Sequence, residues 1–228
     1  MIEISGRQVL TELDELVAPT RAALVMIDMQ YDFLEAGFAF DRPGIDLSMY
    51  QTMRPVVAAL LAAAREAGVP VVHVQMTTLP GGRSESPAQL RFNLRLHERS
   101  HGVAEPLRYA VAGSPGHAFV PELAPREGEL VVTKWRSSAF WGTNLDLLLR
   151  SNGIESVVVC GCTTEGCVES TARDALFNDY YVVIASDGVA SDDRAQHEAS
   201  MLLMRHRFDL ATAAEIIQSW ATSPPASS

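Results

Sequence analysis

Short runs of apolar residues alternate along this chain with stretches that carry apolar residues at helical spacing. The run "AALVMID" at 22–28 is followed by the helical pattern "MRPVVAALLAAAREAG" at 53–68, and the alternation continues to "AAEIIQSW" at 213–220. Strands that are apolar throughout have both faces buried, and strands that alternate with helices form parallel sheets. The sequence therefore predicts an α/β fold: one three-layer α/β/α domain with a mainly parallel sheet.

The other apolar runs predict strands at 69–76, 128–134, 155–161, 180–188 and 208–211. Helical spacing predicts helices over 143–153, 166–179 and 193–208, the first with Thr143 as N-cap and Gly153 just past its end. We expect an N-terminal extension over 1–20, a single domain over 21–221, and a disordered Pro/Ser-rich tail over 222–228.

Charge and composition exclude several classes of partner. The formal net charge is −10, which disfavours nucleic acid because phosphate binding needs a basic face. No apolar run approaches the roughly 20 residues of a transmembrane helix, so no membrane association is expected. All three cysteines lie between 160 and 167, which does not suit a disulfide framework and favours the reducing cytoplasm.

Three reactive side chains follow separate predicted strands: Asp28, Lys134 and Cys167. Ligands of an open parallel sheet bind at the carboxyl ends of the strands, so we expect these residues to lie close together. Each has a simpler interpretation by itself: Asp28 as a helix cap, Lys134 as a surface ion pair, and Cys167 as a small buried residue. Their shared position at one edge favours catalysis.

Cys167 is predicted to lie where a loop enters a helix. The helix N-terminus and Lys134 are expected to stabilise its thiolate, while Asp28 transfers a proton and the amide of Cys167 faces a developing oxyanion. A metal site is not expected, because a structural zinc site needs four ligands and the spacing of Cys160, Cys162 and Cys167 does not supply them. Cys160 and Cys162 are interpreted as packing residues.

The segment 79–113 fits the alternation poorly and is locally basic. It is interpreted either as a solvated excursion with a short helix or as a lid that covers a substrate or contacts a neighbouring subunit. Its five arginines are Arg83, Arg91, Arg95, Arg99 and Arg108.

The segments "VMIDMQYDF", "VVTKWRSSAFWGTNLD" and "GCTTEGCVESTARDA" resemble the isochorismatase-like cysteine hydrolases. This superfamily includes N-carbamoylsarcosine amidohydrolase, ureidoacrylate amidohydrolase and nicotinamidases, and the resemblance covers 22–220. It implies a Rossmann-like fold in a homodimer or homotetramer. It also implies Cys167 as nucleophile, Asp28 as general acid and base, and Lys134 as third member of the triad. A cis peptide between Cys162 and Thr163 is implied as well, with an oxyanion hole formed by the amides of Thr163 and Cys167.

Departures from the family narrow the expected chemistry. Residues 31–50 contain no histidine, unlike the metal-binding segment of nicotinamidases, so no metal or other cofactor is expected. The cysteine favours cleavage of a C–N bond. We therefore predict hydrolysis of a small linear amide or N-carbamoyl or ureido compound through a thioester, with release of ammonia. The alternatives are a vinyl-ether hydrolase of the isochorismatase type and a non-catalytic binding relative.

Several side chains near these motifs are candidate substrate contacts. Four aromatic residues are expected to line the pocket, although each is also compatible with core packing: Tyr31, Phe33, Trp135 and Trp141. Arg136, or an arginine between 83 and 99, is expected to bind a substrate carboxylate through its planar guanidinium, and Gln30 is a further polar candidate.

Overall fold

The structure is a computed structural model that describes residues 1–102 and 107–222, apart from the side chains of residues 100 and 101. The expected disordered tail therefore lies almost entirely outside the described residues. In chain order the strands and helices are β1 (Ile2–Ile4), β2 (Arg7–Val9), α1 (Leu13–Leu16), β3 (Ala22–Ile27), α2 (Tyr31–Leu34), α3 (Ser48–Ala67), β4 (Val71–Met76), α4 (Pro87–His101), β5 (Leu130–Lys134), α5 (Leu145–Ser151), β6 (Ser156–Cys162), α6 (Glu169–Phe177), β7 (Tyr181–Ala190), α7 (Arg194–Arg205), β8 (Asp209–Ala211) and α8 (Ala213–Thr222).

The central sheet has six strands in the order β5-β4-β3-β6-β7-β8, and every neighbouring pair is parallel. β3 and β6 are buried along their whole length because helices cover both faces of the sheet. One face packs against α3 and α8, and the other packs against α5, α6 and α7. The predicted three-layer α/β/α fold with a mainly parallel sheet is confirmed.

The order of the strands determines at which edge of the sheet a ligand is expected to bind. β3 lies between β4 and β6, so the chain moves outward from β3 in opposite directions on its two sides. Such a reversal opens a crevice at the carboxyl ends of the strands. Asp28, Lys134 and the turn after β6 all lie at this edge.

The boundaries differ from the predictions at several points. The helix predicted from residue 53 begins at Ser48 and continues through Pro55, which sits in its interior. The N-cap of α5 is Asn144 rather than Thr143, although the Thr143 hydroxyl accepts a hydrogen bond from the amide of Leu145 at 3.1 Å. These differences are small because the apolar pattern sets the presence of an element more strongly than its ends.

The N-terminal extension comprises a β1–β2 hairpin and α1, and it packs against the domain. Trp220 on α8 donates from its indole nitrogen to the carbonyl of Val17 at 2.7 Å. None of the helices in the described part of the chain combines the length and apolar character that crossing a bilayer requires.

Candidate active site

Asp28 is the first residue after β3, and its backbone has φ of +58°. Its amide donates to the carbonyl of Val74 at 3.0 Å, and its Oδ1 accepts from the amide of Met76 at 2.9 Å. The side chain is 1% exposed. The carboxyl end of β4 therefore holds the Asp28 carboxylate in a fixed orientation.

Lys134 ends β5, on the far side of β4 from β3. Its Nζ lies 2.8 Å from Asp28 Oδ2 and also donates to the carbonyls of Arg136 at 3.1 Å and Ser137 at 3.2 Å. The side chain is completely buried. A buried ammonium is costly unless it is paired and hydrogen-bonded, and this ring of acceptors supplies both.

Cys167 lies in a single π-helical turn, Thr164–Val168, that joins β6 to α6. Its Sγ accepts a hydrogen bond from Lys134 Nζ at 3.0 Å, and its thiol is hydrogen-bonded to Asp28. The structure thus brings together the three side chains that the sequence placed at one edge. The thiol lies in a π turn at the start of the α6 segment, rather than in the first turn of a regular α-helix.

The backbone between β6 and the π turn has the geometry that the resemblance implied. The peptide bond between Cys162 and Thr163 is cis. The amide of Val168 donates to the carbonyl of Thr163 at 3.0 Å, which is the i to i−5 hydrogen bond of the π turn. The amide of Cys167 lies one residue before this bond. Amides at the start of a helical segment have no partner within it and are available to an anion.

Burial sets the protonation of Cys167. It raises the pKa of the thiol to about 12; the Asp28 charge acts in the same direction, and Lys134 opposes both. Cys167 is only partly buried and lines the cavity, so desolvation of the sulfur anion opposes the expected thiolate while Lys134 favours it. The resting thiolate stays a prediction.

Asp28 and Lys134, which lie beside the thiol, shift each other's pKa. Burial raises the pKa of Asp28, while the Lys134 charge and hydrogen bonds moderate the rise. Burial by itself would lower the pKa of Lys134, but Asp28 and the Cys167 sulfur outweigh it and the net pKa is raised. Lys134 therefore remains an ammonium, and the raised pKa of Asp28 suits a general base.

A cavity of about 260 Å³ opens beside the Cys167 thiol. The helix α4, from the basic segment 79–113, forms one wall of it, which agrees with the interpretation of this segment as a cover. Residues 103–106 of that segment lie outside the described part. The described residues that line the cavity are Phe33, Phe40, Met76, Gln89, Phe92, Asn93, Leu96, His97, Tyr109, Ser137, Thr163, Glu165, Gly166, Cys167, Asp192, Asp193 and Gln196.

Of the six candidate substrate contacts, only Phe33 lines the cavity. Gln30 is 0% exposed, and its amide nitrogen donates to the carbonyls of Met76 at 3.0 Å and His117 at 2.8 Å. Tyr31 stacks on Phe38 with ring centroids 5.0 Å apart. We correct the interpretation of Gln30 and Tyr31, because both pack within the protein outside the cavity.

Trp135, Arg136 and Trp141 also lie outside the lining described for this chain. The guanidinium of Arg136 donates to the carbonyls of Ser84 at 3.2 Å and Trp135 at 2.5 Å, and it lies 5.8 Å from the centroid of the Trp141 ring. Trp141 itself is 62% exposed. The expected capture of a substrate carboxylate by Arg136 is therefore corrected: its guanidinium is used to fix the loop after β5.

The arginines of the segment 79–113 do not enter the cavity either. Three of them line a groove that adjoins the cavity, because Phe92, Leu96 and Gln196 line both: Arg91, Arg95 and Arg99. Arg83 donates to the carbonyl of Pro80 at 3.3 Å.

Sequence reasoning missed Glu165 and Asp192, which line the cavity. Glu165 is two positions before Cys167 in the motif that was already identified. Asp192 follows the end of β7, so the strand-end argument would have found it had it been applied to that strand. Asp187 accepts a hydrogen bond from the amide of Ala213 at 2.7 Å, at the start of α8.

No three His, Cys, Asp or Glu side chains in residues 1–102 and 107–222 are grouped as a bound metal ion requires. The reactive groups beside the cavity are a thiol, a carboxylate and an ammonium, next to the backbone amides at the start of a helical turn. This set suits nucleophilic attack on a carbonyl and stabilisation of the oxyanion that forms.

Comparison with known proteins agrees with this geometry. The profile of the Isochorismatase domain matches residues 22–216. The chain is 32% identical to ureidoacrylate amidohydrolase RutB of Enterobacter sp., over 91% of this chain and 92% of that protein. It is 29% identical to maleamate amidohydrolase of Pseudomonas putida, over 87% of this chain and 86% of that protein. The crystal structure of a cysteine hydrolase from Pseudomonas syringae pv. phaseolicola superposes with a TM-score of 0.73 at 26% identity, covering 90% of this chain and 94% of that one. The chain belongs to the isochorismatase family.

Proposed function

We propose that this protein is a cysteine amidohydrolase that cleaves the C–N bond of a small linear amide, N-carbamoyl or ureido compound. One observation carries the proposal. Lys134 Nζ lies 2.8 Å from Asp28 Oδ2 and 3.0 Å from Cys167 Sγ, and the thiol lines a cavity of about 260 Å³. A thiol, a base and a fixed cation beside a cavity of this size form the machinery of covalent acyl transfer.

The first half of the reaction forms a thioester. Cys167 Sγ attacks the substrate carbonyl carbon while Asp28, which is hydrogen-bonded to the thiol, accepts its proton. The tetrahedral oxyanion is stabilised by the amides of Thr163 and Cys167. Asp28 then returns the proton to the leaving nitrogen, and ammonia departs as the C–N bond breaks.

The second half uses water. Asp28 accepts a proton from a water molecule as that water attacks the thioester carbonyl, and the proton passes to the Cys167 sulfur as the C–S bond breaks. An amide substrate gives a carboxylate, and a carbamoyl substrate gives a carbamate that decays to carbon dioxide. Lys134 keeps its charge throughout the reaction and holds the Asp28 carboxylate and the Cys167 sulfur in position.

The names of the relatives support the class of bond. Ureidoacrylate amidohydrolase and maleamate amidohydrolase both act on non-peptide C–N bonds. Their similarity extends over most of this chain, which includes Asp28, Lys134 and Cys167.

Ammonia release from a panel of small amides tests the proposal, with ureidoacrylate, maleamate, N-carbamoylsarcosine, biuret and nicotinamide as compounds. The variant Cys167→Ala is expected to lose activity by a factor on the order of 10⁴ or more, because it lacks the nucleophile. Cys160→Ala is the matched control: Cys160 is buried inside β6, outside the cavity lining, and its variant should keep wild-type turnover.

Two outcomes would contradict the proposal. Undiminished ammonia release by Cys167→Ala would remove the thioester mechanism. Cleavage of a vinyl ether such as isochorismate by both the wild type and Cys167→Ala, with no amide cleaved, would favour the vinyl-ether hydrolase instead.

We also propose that the enzyme is a cytoplasmic homodimer or homotetramer. Three unpaired cysteines fit a reducing compartment. Large apolar side chains exposed on one surface support self-association, and among them are Leu147, Leu176 and Phe177.

A further inference from the structure

The cavity beside Cys167 adjoins a second groove that runs along α4. The groove has a volume of about 370 Å³, and Phe92, Leu96 and Gln196 line both the groove and the cavity. The other residues that line the groove all belong to α4: Ala88, Arg91, Arg95 and Arg99. A ligand that occupies the cavity can therefore extend along α4 into the groove.

Arg91, Arg95 and Arg99 form a row on one face of α4, which we call the arginine row. They follow one another at intervals of four residues, and all three side chains are exposed. Within residues 1–102 and 107–222 their guanidinium groups make no ion pair with a carboxylate. Like charges four residues apart destabilise a helix, so an anion bound across the row would offset that cost.

Arginines on other helices of this acidic chain pair with acids of the same helix. Arg150 pairs with Asp146 on α5, and Arg173 pairs with Glu169 on α6, each across four residues. In the arginine row, the residue four positions along is another arginine. Glu98 is the one acidic residue of α4, and in the part of the chain that the structure describes it forms no ion pair with the row. The row therefore keeps its positive charge in a protein whose formal net charge is −10.

Apolar surface connects the cavity with the arginine row. Phe92 is 51% exposed and Leu96 is 37% exposed, and both line the cavity as well as the groove. Gln196, the third shared residue, donates from its side-chain amide to Asp193 at 3.1 Å. Asp193 lines the cavity, whereas no acidic residue is among the described residues that line the groove. Exposed apolar side chains beside guanidinium groups suit a ligand with an apolar body and an anionic end.

We propose that, given the amidohydrolase function above, the substrate is an elongated linear amide with a carboxylate at its far end. The scissile amide lies against Cys167, the apolar body lies against Phe92 and Leu96, and the carboxylate binds the arginine row. Guanidinium groups bind carboxylates through two parallel hydrogen bonds, which fixes the position of the far end. The cavity and the row lie on neighbouring sides of a helix that is about 10 Å across with its side chains. We therefore expect a compound as short as succinamate to bridge them poorly.

Hydrolysis of matched pairs of amides tests the proposal. Succinamate, adipamate and suberamate carry a carboxylate at increasing distance from the amide, and butanamide, hexanamide and octanamide are the neutral compounds of equal chain length. We expect the ratio of kcat/KM for the carboxylate to kcat/KM for the neutral amide to reach about tenfold for adipamate or suberamate. For succinamate the ratio should stay near one. An exposed ion pair contributes modestly, so two or three arginines that act together account for a change of this size. The ratio should fall as salt is added, because exposed charges are screened.

The triple variant Arg91→Gln/Arg95→Gln/Arg99→Gln removes the charge of the arginine row and keeps the helical propensity of α4. We expect the ratio for adipamate over hexanamide to fall to about one in this variant. A ratio compares two substrates of the same protein sample, so a general loss of activity does not change it. Circular dichroism establishes that the variant is folded.

The matched control is the triple variant Arg7→Gln/Arg126→Gln/Arg207→Gln. It changes the net charge by the same amount, at exposed positions outside the linings of the cavity and the groove. We expect this control to keep the wild-type ratio, which separates binding at the arginine row from the effect of overall charge.

A ratio near one at every chain length in the wild type would overturn the inference and leave the proposed function standing. A ratio that is largest for succinamate, or one for adipamate that the triple variant of the arginine row retains, would overturn it as well. Calorimetric titration of Cys167→Ala with adipamate and hexanamide measures the same preference without turnover, and equal affinities would again overturn the inference. Release of ammonia from none of the amides, including the panel above, would instead overturn the proposed function.

Discussion

Asp28 raises the pKa of the thiol that it is proposed to deprotonate. Its negative charge and its hydrogen bond both raise the pKa of Cys167, and Lys134 opposes them. Deprotonation is then coupled to attack on the substrate.

The variant Asp28→Asn should therefore change two activities in opposite directions. Without the carboxylate, Lys134 alone acts on the sulfur, so the pKa of Cys167 falls and iodoacetamide alkylation at neutral pH becomes faster. Amide hydrolysis should fall by roughly 10²–10⁴-fold because the proton acceptor is lost. The pH profile of alkylation and steady-state ammonia release measure the two effects.

Asparagine is the appropriate replacement because it tolerates the φ of +58° at this position. Asp179→Asn is the matched control: Asp179 has φ of +65° and lies in the exposed turn after α6, so both measurements should stay at wild-type values. An alkylation profile of Asp28→Asn that moves to higher pH would contradict the assignment of charges in the triad.

Lys134 is expected to stabilise the fold as well as the site. Lys134→Met leaves the Asp28 carboxylate buried without its cation, which should lower the free energy of unfolding by about 3–5 kcal/mol. In this variant the folded pKa of Asp28 lies further above its unfolded value. The stabilisation by the bound proton is then present below the unfolded pKa and lost as the pH rises through the folded pKa.

Urea unfolding of Lys134→Met at pH 5 and pH 8 measures this effect, and the loss relative to the wild type should be larger at pH 8. The double variant Asp28→Asn/Lys134→Met carries no unpaired charge and should recover most of the lost stability. Equal stability of the single and double variants would mean that the ion pair does not account for the effect.

The residues of the triad could be predicted because each follows a recognisable strand. Asp28 and Lys134 come directly after apolar runs, and their convergence follows from the parallel sheet alone. The cavity contacts could not be predicted in the same way. Whether Gln30 or Phe33 faces the cavity depends on the path of the chain after β3, and the apolar pattern carries no information about that path.

The pairing of β3 with β6 depends on Gly161. This residue lies opposite Ile27 with φ of +119°, and a Cβ at this position would lie 2.1 Å from the carbonyl oxygen of Ile27. Backbone atoms cannot move away as a flexible side chain can. Gly161 therefore permits the close approach of the two strands that carry Asp28 and the turn before Cys167.

Gly161→Ala should lower the free energy of unfolding by about 3 kcal/mol or more, from overpacking and an unfavourable φ together. Gly153→Ala is the matched control. Gly153 also has positive φ, of +66°, but a Cβ there meets nothing within 4 Å, so the loss should be about 1 kcal/mol. Chemical denaturation measures both, and equal losses would contradict a steric role for Gly161.

Elements were predictable where their burial follows a regular pattern along the sequence. β3 and β6 are buried at every position, and the sequence shows them as unbroken apolar runs. The π turn around Cys167 was not predictable, because its residues suit the start of an ordinary α-helix. The desolvation that raises the pKa of the Cys167 thiol could not be predicted either, because α4, which forms one wall of the cavity beside it, is distant in sequence.

At the scale of the whole molecule, the site is assembled from distant parts of the chain. Three strands of the sheet supply the reactive groups, and the segment 79–113 supplies a wall through α4. The sheet is buried on both faces and holds the triad rigidly. The segment that forms this wall lies outside the alternation of strands and helices. A change in this segment can therefore alter the substrate preference without disturbing the catalytic groups.

The outer surface of α5 and α6 carries apolar side chains that a monomer leaves exposed. Leu147 on α5 is 66% exposed and Phe177 on α6 is 74% exposed. A hydrogen bond links the two helices: Arg150 on α5 donates to the carbonyl of Asn178, just after α6, at 2.8 Å. Exposed aromatic and aliphatic side chains on adjoining helices are typical of surfaces that a second subunit covers.

Phe177→Glu should therefore shift the protein toward a lower oligomeric state, because it places a carboxylate in the apolar contact with a second copy of the chain. Light scattering after size-exclusion chromatography measures the mass, and circular dichroism establishes that the variant is folded. Gln8→Glu adds the same charge at an exposed position of the N-terminal hairpin and should leave the mass unchanged. A folded Phe177→Glu variant with the wild-type mass would exclude this surface as the subunit contact, and a monomeric wild type would exclude the oligomer itself.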